Sequence, residues 1–405
     1  MTNAERKTAL WTPTYISLLV IGAITSTSFN TIHPMISKYA TSLGAEVGIA
    51  GIIAGLFSIT ALFGRPFGAF IVDRMNKKYV LVAAISVMGL VSLGYSISKN
   101  IPLLVIFRIL HGAAFAVSGT STMALIASIV PRDNLGEAIG YYGMSHIIAT
   151  ALGPNIGIYI TNTYSYRVNF LSSGIILLVA AGLLSRLPYS WSRPNNTENN
   201  KKISIGDLIS IKILPLAFIG GIFSFTNGIV SSFLVLLGEE RGIKNIGLYF
   251  TVLSVCLFFI RPIFGKLSDR KGLAFILYPA FFLVALESIL LSHASVLLVV
   301  LLAAIAKAFG QGSAQPSIQA ACLKKLEPSK SGLAAATYYI GADIGQGIGP
   351  MIGGAISQAY SYSEMFYFCV FLLFLGAIGF TVYNKREISL QRELEKSHVA
   401  QEVNS

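Results

Sequence analysis

Charge is scarce in this chain. Only 12% of its 405 residues are Asp, Glu, Lys or Arg, about half the ~25% of soluble domains. Stretches long enough to cross a membrane carry none, and a soluble protein of this length could not cover its surface that way. Cysteine is nearly absent. Cys256, Cys322 and Cys369 lie far apart inside apolar runs, which excludes a disulfide framework and a metal-ligand spacing. They read as small apolar residues. No glycine loop ends in Lys-Ser/Thr, so ATP-driven pumping is not expected. No nucleophile elbow and no convergent acid, base and nucleophile are found. The chain is therefore not expected to be an enzyme, and no cofactor or metal is expected. Acids are outnumbered, 18 against 30 basic residues, for a net charge of +12. The basic residues fall in short loops, so they are read as topology signals and not as a nucleic-acid surface.

What the chain has is hydrophobic length: 54% of it is apolar. A helix crosses a hydrocarbon core of about 30 Å with about 20 mostly apolar residues, and such runs recur almost end to end. They are too long and too evenly apolar for barrel strands. Twelve helical spans are expected, at 14–37, 45–71, 79–98, 101–130, 136–162, 168–187, 211–238, 245–268, 272–293, 296–323, 331–357 and 363–384. Arg6 and Lys7 before the first run could suggest a signal peptide, but no small-residue cleavage site follows, and the run is read as the first span. The fold class is an all-α membrane protein. One polar segment with Trp191, Arg193, Pro194 and several asparagines interrupts the pattern. It divides the chain into a first bundle at 1–187, a linker at 188–210, a second bundle at 211–384 and a charged tail at 385–405. With the N-terminus inside, basic residues favour the inner loops by about four to one, which places both termini in the cytoplasm.

A repeat supports the division. Arg65-Pro66 through Asp73-Arg74 matches Arg261-Pro262 through Asp269-Arg270 at an offset of 196 residues. The same offset carries Tyr142 onto Tyr338, Gly153-Pro154 onto Gly349-Pro350, and Gly157 onto Gly353. Six spans per half make the repeats parallel, related by an axis along the membrane normal, with a binding site expected between them near the midplane.

These motifs resemble the major facilitator superfamily, and within it the twelve-helix drug:proton antiporter-like exporters. The segment from Arg65 through Asp73-Arg74 to Lys77-Lys78 is similar to the family signature between its second and third helices. Ala69 stands in place of a glycine, and Asn76 in place of a turn glycine whose left-handed conformation asparagine tolerates. Arg108 through His111-Gly112 resembles the fourth-helix motif, with His111 where glutamine is usual. Gly153, Pro154 and Gly157 resemble a truncated antiporter motif, and a fuller copy with Gly349 and Pro350 lies on the eleventh helix.

The resemblance implies that Arg65, Asp73, Arg74, Asp269 and Arg270 form gates at the inner face, with Asp73 and Asp269 on loops near the starts of the fifth and eleventh helices. It also implies that the first, fourth, seventh and tenth helices line the cavity. Polar stripes fall on all four: Ser26, Asn30 and His33; Arg108, His111, Ser118 and Thr122; Ser224, Asn227 and Ser231; Lys307, Gln311, Gln315 and Gln319. A polar stripe on an apolar helix faces a cavity or another helix, not lipid. Asn30, Arg108, His111, Asn227, Lys307, Gln311 and Gln315 are the expected substrate contacts. Asp343, exchanging partners with Lys307 or Arg108, is the expected proton carrier, whereas Glu287 on an outer helix is read as structural and Glu137 as a helix-dipole partner. A cavity rich in cations points to an anionic or zwitterionic cargo.

The expected function is secondary active transport by alternating access. Its form is proton-coupled efflux of a small anionic, zwitterionic or amphipathic compound, a drug or a metallophore-like metabolite, across the plasma membrane. Uptake by proton symport and a non-transporting sensor are the alternatives. The expected partners are a small-molecule substrate, protons and membrane lipid, with no nucleic acid, and the unit is expected to be a monomer.

Overall fold

A computed structural model describes residues 11–131, 134–189, 209–326 and 331–403. Twelve helical spans follow one another with no strand among these residues. The second to sixth spans are Val47–Arg74, Lys77–Ile97, Ile101–Ile129, Leu135–Thr163 and Tyr166–Ser185. The seventh to eleventh are Leu214–Glu240, Leu248–Lys271, Leu273–Ser292, Leu297–Lys324 and Ser331–Ala359, and the twelfth, Tyr362–Val403, runs on through the charged tail. An even number of crossings puts both chain ends on one side, here called the terminus face; the other is the far face.

Local chemistry sets the helix starts. Side chains of Thr12, Asn100 and Ser165 accept hydrogen bonds from backbone N–H groups three residues on, at 3.2, 3.0 and 3.2 Å. Each satisfies a donor that the first helical turn leaves free. The first span is broken, contrary to the single run expected: one helix covers Pro13–Ile32 and a second Met35–Ser42. Pro34 lacks the N–H that would bond the carbonyl of Asn30. The turn expected at Asn76 also takes another form. Its φ is −63° and its side chain caps the third span, so no left-handed residue is needed there. The repeat-related Gly272 does adopt φ +81° between the eighth and ninth spans.

Packing follows the repeat. The second span packs on the fourth, the third on the sixth and the first on the fifth; the eighth on the tenth, the ninth on the twelfth and the seventh on the eleventh repeat that scheme. The two sets meet through the second span against the eleventh and the fifth against the eighth. Large apolar side chains such as Phe67, Phe259, Phe282 and Phe374 are more than 60% exposed on the outside, a surface that lipid solvates and water does not. Among the described residues nine helices are apolar enough to span a membrane by composition alone. The fifth, eighth and eleventh are the remaining three, and each carries polar residues at the junction of the two sets, among them Thr150, Thr251 and Gln346.

Candidate functional site

A cavity of about 280 Å³ lies between the two helix sets, close to the lower end of the range for small-molecule sites, about 300–1,000 Å³. The first set contributes Asn30, His33, His146 and Thr150; the second contributes Asn227, Ser231, Lys307, Asp343 and Gln346. A smaller pocket of about 140 Å³ shares Asn227 and Lys307 and continues along the tenth span past Gln311 and Gln315. Five of the expected contacts, Asn30, Asn227, Lys307, Gln311 and Gln315, therefore lie on these walls.

Arg108 and His111 do not. Both are fully buried inside the first helix set. Arg108 donates to the carbonyls of Ile53 at 3.2 Å and Ala54 at 3.1 Å, and its Nη2 lies 3.4 Å from His33 Nδ1. Its guanidinium sits 4.6 Å from the centre of the Phe57 ring. Tyr95 Oη and His111 Nδ1 are 3.1 Å apart. Phe29, Phe57 and Phe115, with ring centroids 4.7–5.1 Å apart, stand between these groups and the cavity. In this state neither Arg108 nor His111 reaches the cavity wall, and Arg108 bonds the Ile53 and Ala54 carbonyls, not Asp343 as expected. The fourth span turns this part of its stripe onto the second span, where a Cβ at Gly112 would press on the Phe57 carbonyl.

Asp343 has a different partner from those expected. Arg65 on the second span grips it with Nε to Oδ2 at 2.5 Å and Nη2 to Oδ1 at 3.1 Å. The Tyr339 ring lies 5.0 Å from the same guanidinium. This two-pronged pair joins the helix sets. It sits about nine residues from the terminus-face end of the second span, roughly 14 Å at 1.5 Å per residue. Lys307 pairs instead with Glu287, Nζ to Oε1 at 3.2 Å, and Tyr249 Oη donates to the same oxygen at 2.5 Å. Glu287, Tyr249, Gln346 and Thr150 were not among the expected contacts. A lone charge in an apolar span was the available signal for Glu287. On the second set's wall Asn227 donates to Gln346 Oε1 at 3.0 Å, and Gln346 and Gln315 lie 3.3 Å from the hydroxyls of Ser231 and Ser224.

The far face is closed. Lys38 pairs with Glu239 across the sets. Gln358 donates to Glu46 at 2.5 Å and accepts from the Gly48 N–H at 2.9 Å. Asn155 donates to Thr251 Oγ1 at 2.8 Å. Gly51 and Gly55 let the second span touch the eleventh: a Cβ at either would press on the carbonyl of Pro350 or Gly347. Towards the terminus face, Arg65–Asp343 joins the sets.

The packing motifs lie at close crossings. A Cβ at Gly153 would come within 3.0 Å of the Thr27 carbonyl, and one at Gly157 within 2.9 Å of Thr31 Cα. Gly349 and Pro350 lie in the same way against Phe225 and Gly228 of the seventh span, and Pro154 reaches the cavity. The gate residues are placed in part. The second and eighth helices run through Arg74 and Lys271, so Asp73 and Asp269 occupy last helical turns and not loops. Their side chains lie outside the described residues, as do the side chain of Glu137 and the linker residues 190–208. Arg74 stacks 3.5 Å from the Phe70 ring centre, and Arg270 is exposed.

The chain shares this architecture with solved structures. A bacterial homologue of the human lysosomal transporter Spinster, inward-facing and unoccupied, has a TM-score of 0.74 over 94% of this chain and 97% of its own, at 14% identity. A POT family transporter has a TM-score of 0.76 over 93% and 96%, at 12% identity. In sequence, the multi-drug resistance efflux pump PmrA of Streptococcus pneumoniae is 26% identical over 360 residues, covering 85% of this chain and 89% of the relative. The multidrug resistance protein MdtG of Citrobacter koseri is 26% identical over 387 residues, covering 91% and 93%. An uncharacterised MFS-type transporter of Methanocaldococcus jannaschii is 22% identical over 383 residues, covering 92% and 96%. The sequence profile of the Major Facilitator Superfamily matches residues 18–323 and again 217–402, so this chain belongs to that superfamily of membrane transporters.

Proposed function

We propose that this protein is a proton-coupled exporter that carries a small anionic, zwitterionic or amphipathic compound out of the cytoplasm by alternating access. The observation that carries the reading is the cavity between the helix sets, sealed at the far face by three polar contacts and a glycine crossing, and bounded on the other side by Arg65–Asp343. The basic loops favour a cytoplasmic terminus face, so this is the state that loads cargo from inside. PmrA and MdtG, named for multidrug efflux and resistance, support the outward direction.

Charge balance supports the cargo class. Arg65 and Asp343 cancel, as do Lys307 and Glu287. Arg108 has no carboxylate within bonding distance among the described residues, and its Nη1 has no partner at all. The site is left with one positive charge behind its aromatic wall. Asp343 is the carboxylate on the wall of the larger cavity among the described residues, and it is the proposed proton carrier. Its release from Arg65 accompanies protonation, and the halves then rock about the midplane.

The test compares the medium of cells with and without the gene, followed by transport of the compound so found in proteoliposomes under an imposed proton gradient. Gradient-driven movement out of the face that corresponds to the cytoplasm is expected. Movement in the same direction as the protons would make the protein a symporter, and saturable binding without flux would make it a sensor.

A further inference from the structure

The ninth span carries a single charged residue, Glu287, and that residue is fully buried. Its Oε1 accepts the Tyr249 hydroxyl and lies 3.2 Å from Lys307 Nζ. Its Oε2 has no partner. Cys369 of the twelfth span is the other ionisable group facing it. Lys307 has three N–H donors and one carboxylate oxygen, at 3.2 Å. One turn further along the tenth span, Gln311 is 5% exposed and its Oε1 also has no partner. Lys307 and Gln311 line the same pocket, and Lys307 and Tyr249 reach the main cavity, which Glu287 does not.

A buried ion pair kept for stability satisfies its remaining lone pairs and protons with further hydrogen bonds. Here spare donors on Lys307 and a spare acceptor on Gln311 adjoin a polar cavity instead. We infer that Lys307 anchors a carboxylate of the cargo, that Gln311 accepts from a donor on the same molecule, and that Glu287 is the counter-ion that keeps this anchorage weak enough to release. Resting on the transport reading above, this narrows the cargo to a carboxylate with an O–H or N–H group about 5–6 Å away, one helical turn along the tenth span. Glu287 stays behind Lys307 as its counter-charge throughout. The cargo carboxylate takes the ammonium N–H donors, and no covalent bond changes.

The test uses 4-hydroxybenzoate, whose hydroxyl lies across the ring from its carboxylate, with benzoate and benzyltrimethylammonium as controls. Binding is measured on the purified full chain in detergent. The wild type is expected to bind 4-hydroxybenzoate more tightly than benzoate and not to bind the cation. Gln311→Leu should bring 4-hydroxybenzoate down to the benzoate level. Glu287→Gln should tighten both carboxylates by about a hundredfold, as removing a unit charge about 6 Å from another at an effective dielectric near 20 predicts. Lys307→Met should abolish carboxylate binding. Because that variant strands Glu287, the double variant Lys307→Met/Glu287→Gln serves as the folding control, with a retained unfolding temperature and no binding.

Absence of saturable 4-hydroxybenzoate binding to the wild type would overturn the inference, as would undiminished binding by the double variant or weaker binding by Glu287→Gln. Flux of the same probes in proteoliposomes separates the two readings. The predicted binding pattern without flux removes transport and leaves the anchor standing. Flux of benzyltrimethylammonium without carboxylate binding does the reverse.

Discussion

Replacing Gly51 and Gly55 together by alanine should drive the protein out of the state seen here. A Cβ at Gly55 would press on the Gly347 carbonyl and lie 2.9 Å from Met351 Cγ, and one at Gly51 would press on the Pro350 carbonyl and lie 3.1 Å from Gly354 Cα. Both clashes involve backbone, which rotamer changes cannot relieve. Overpacking of this kind costs about 1–3 kcal/mol per site, so about 2–6 kcal/mol for the pair. Alanine also favours a helix by about 1 kcal/mol over glycine, but it does so in every state and cancels. In a state open at the far face the second and eleventh spans separate there, and the clash disappears. The cost therefore falls on one state, and the ratio of states shifts by about 30-fold to 10⁴-fold at 1.4 kcal/mol per decade. The assay is modification of Asn227→Cys on the cavity wall by a membrane-impermeant thiol reagent, with Cys256, Cys322 and Cys369 changed to alanine. Vesicles of both orientations are compared. The single reporter should react from the terminus face, and the reporter with both alanines from the far face. An unchanged side and rate of modification would refute the reasoning.

Three further outcomes are expected. Asp343→Asn leaves Arg65, 32% exposed, to be solvated; gradient-driven flux should fall by at least about tenfold while exchange of unlabelled for labelled cargo persists, and equal losses of both would remove Asp343 from proton coupling. Lys38→Ala breaks a pair whose Glu239 side chain is 47% exposed, so it should cost no more than about 1 kcal/mol and shift the sidedness of the same labelling far less than the glycine changes. Lys78→Met removes the donor that reaches the carbonyls of Ser185 and Leu187, both at 3.0 Å. Loss of a charged donor there should destabilise the third and sixth spans by about 1.5–3 kcal/mol, measured by unfolding of the purified protein in detergent.

The polar face of the tenth span was legible because four polar residues at helical spacing on an apolar helix leave few places to go. Arg108 was harder. It shares a stripe with Phe115, yet it lies about seven residues, roughly 10 Å, from the far-face end of the fourth span, in the part of the protein that is closed. Aromatic rings from the first and second spans cover it there. Glu287 stood out as a charge but not as a partner of Lys307, because that pairing depends on how the ninth span rotates against the tenth. Arg65 was visible as part of a repeated, family-like signature near the terminus face, while its reach to Asp343 depends on a contact between residues 278 positions apart.

Composition and periodicity alone determined that the chain spans a membrane, roughly where each helix begins and ends, and that its halves repeat. Those properties depend on local hydrophobicity, bilayer thickness and a constant offset, all of which are written along one dimension. Which charges neutralise one another, which polar residues see the cavity and which face is shut were decided only in the tertiary structure. Each depends on the rotation and crossing of helices distant in sequence, where a turn of one helix exchanges a cavity wall for a buried seam.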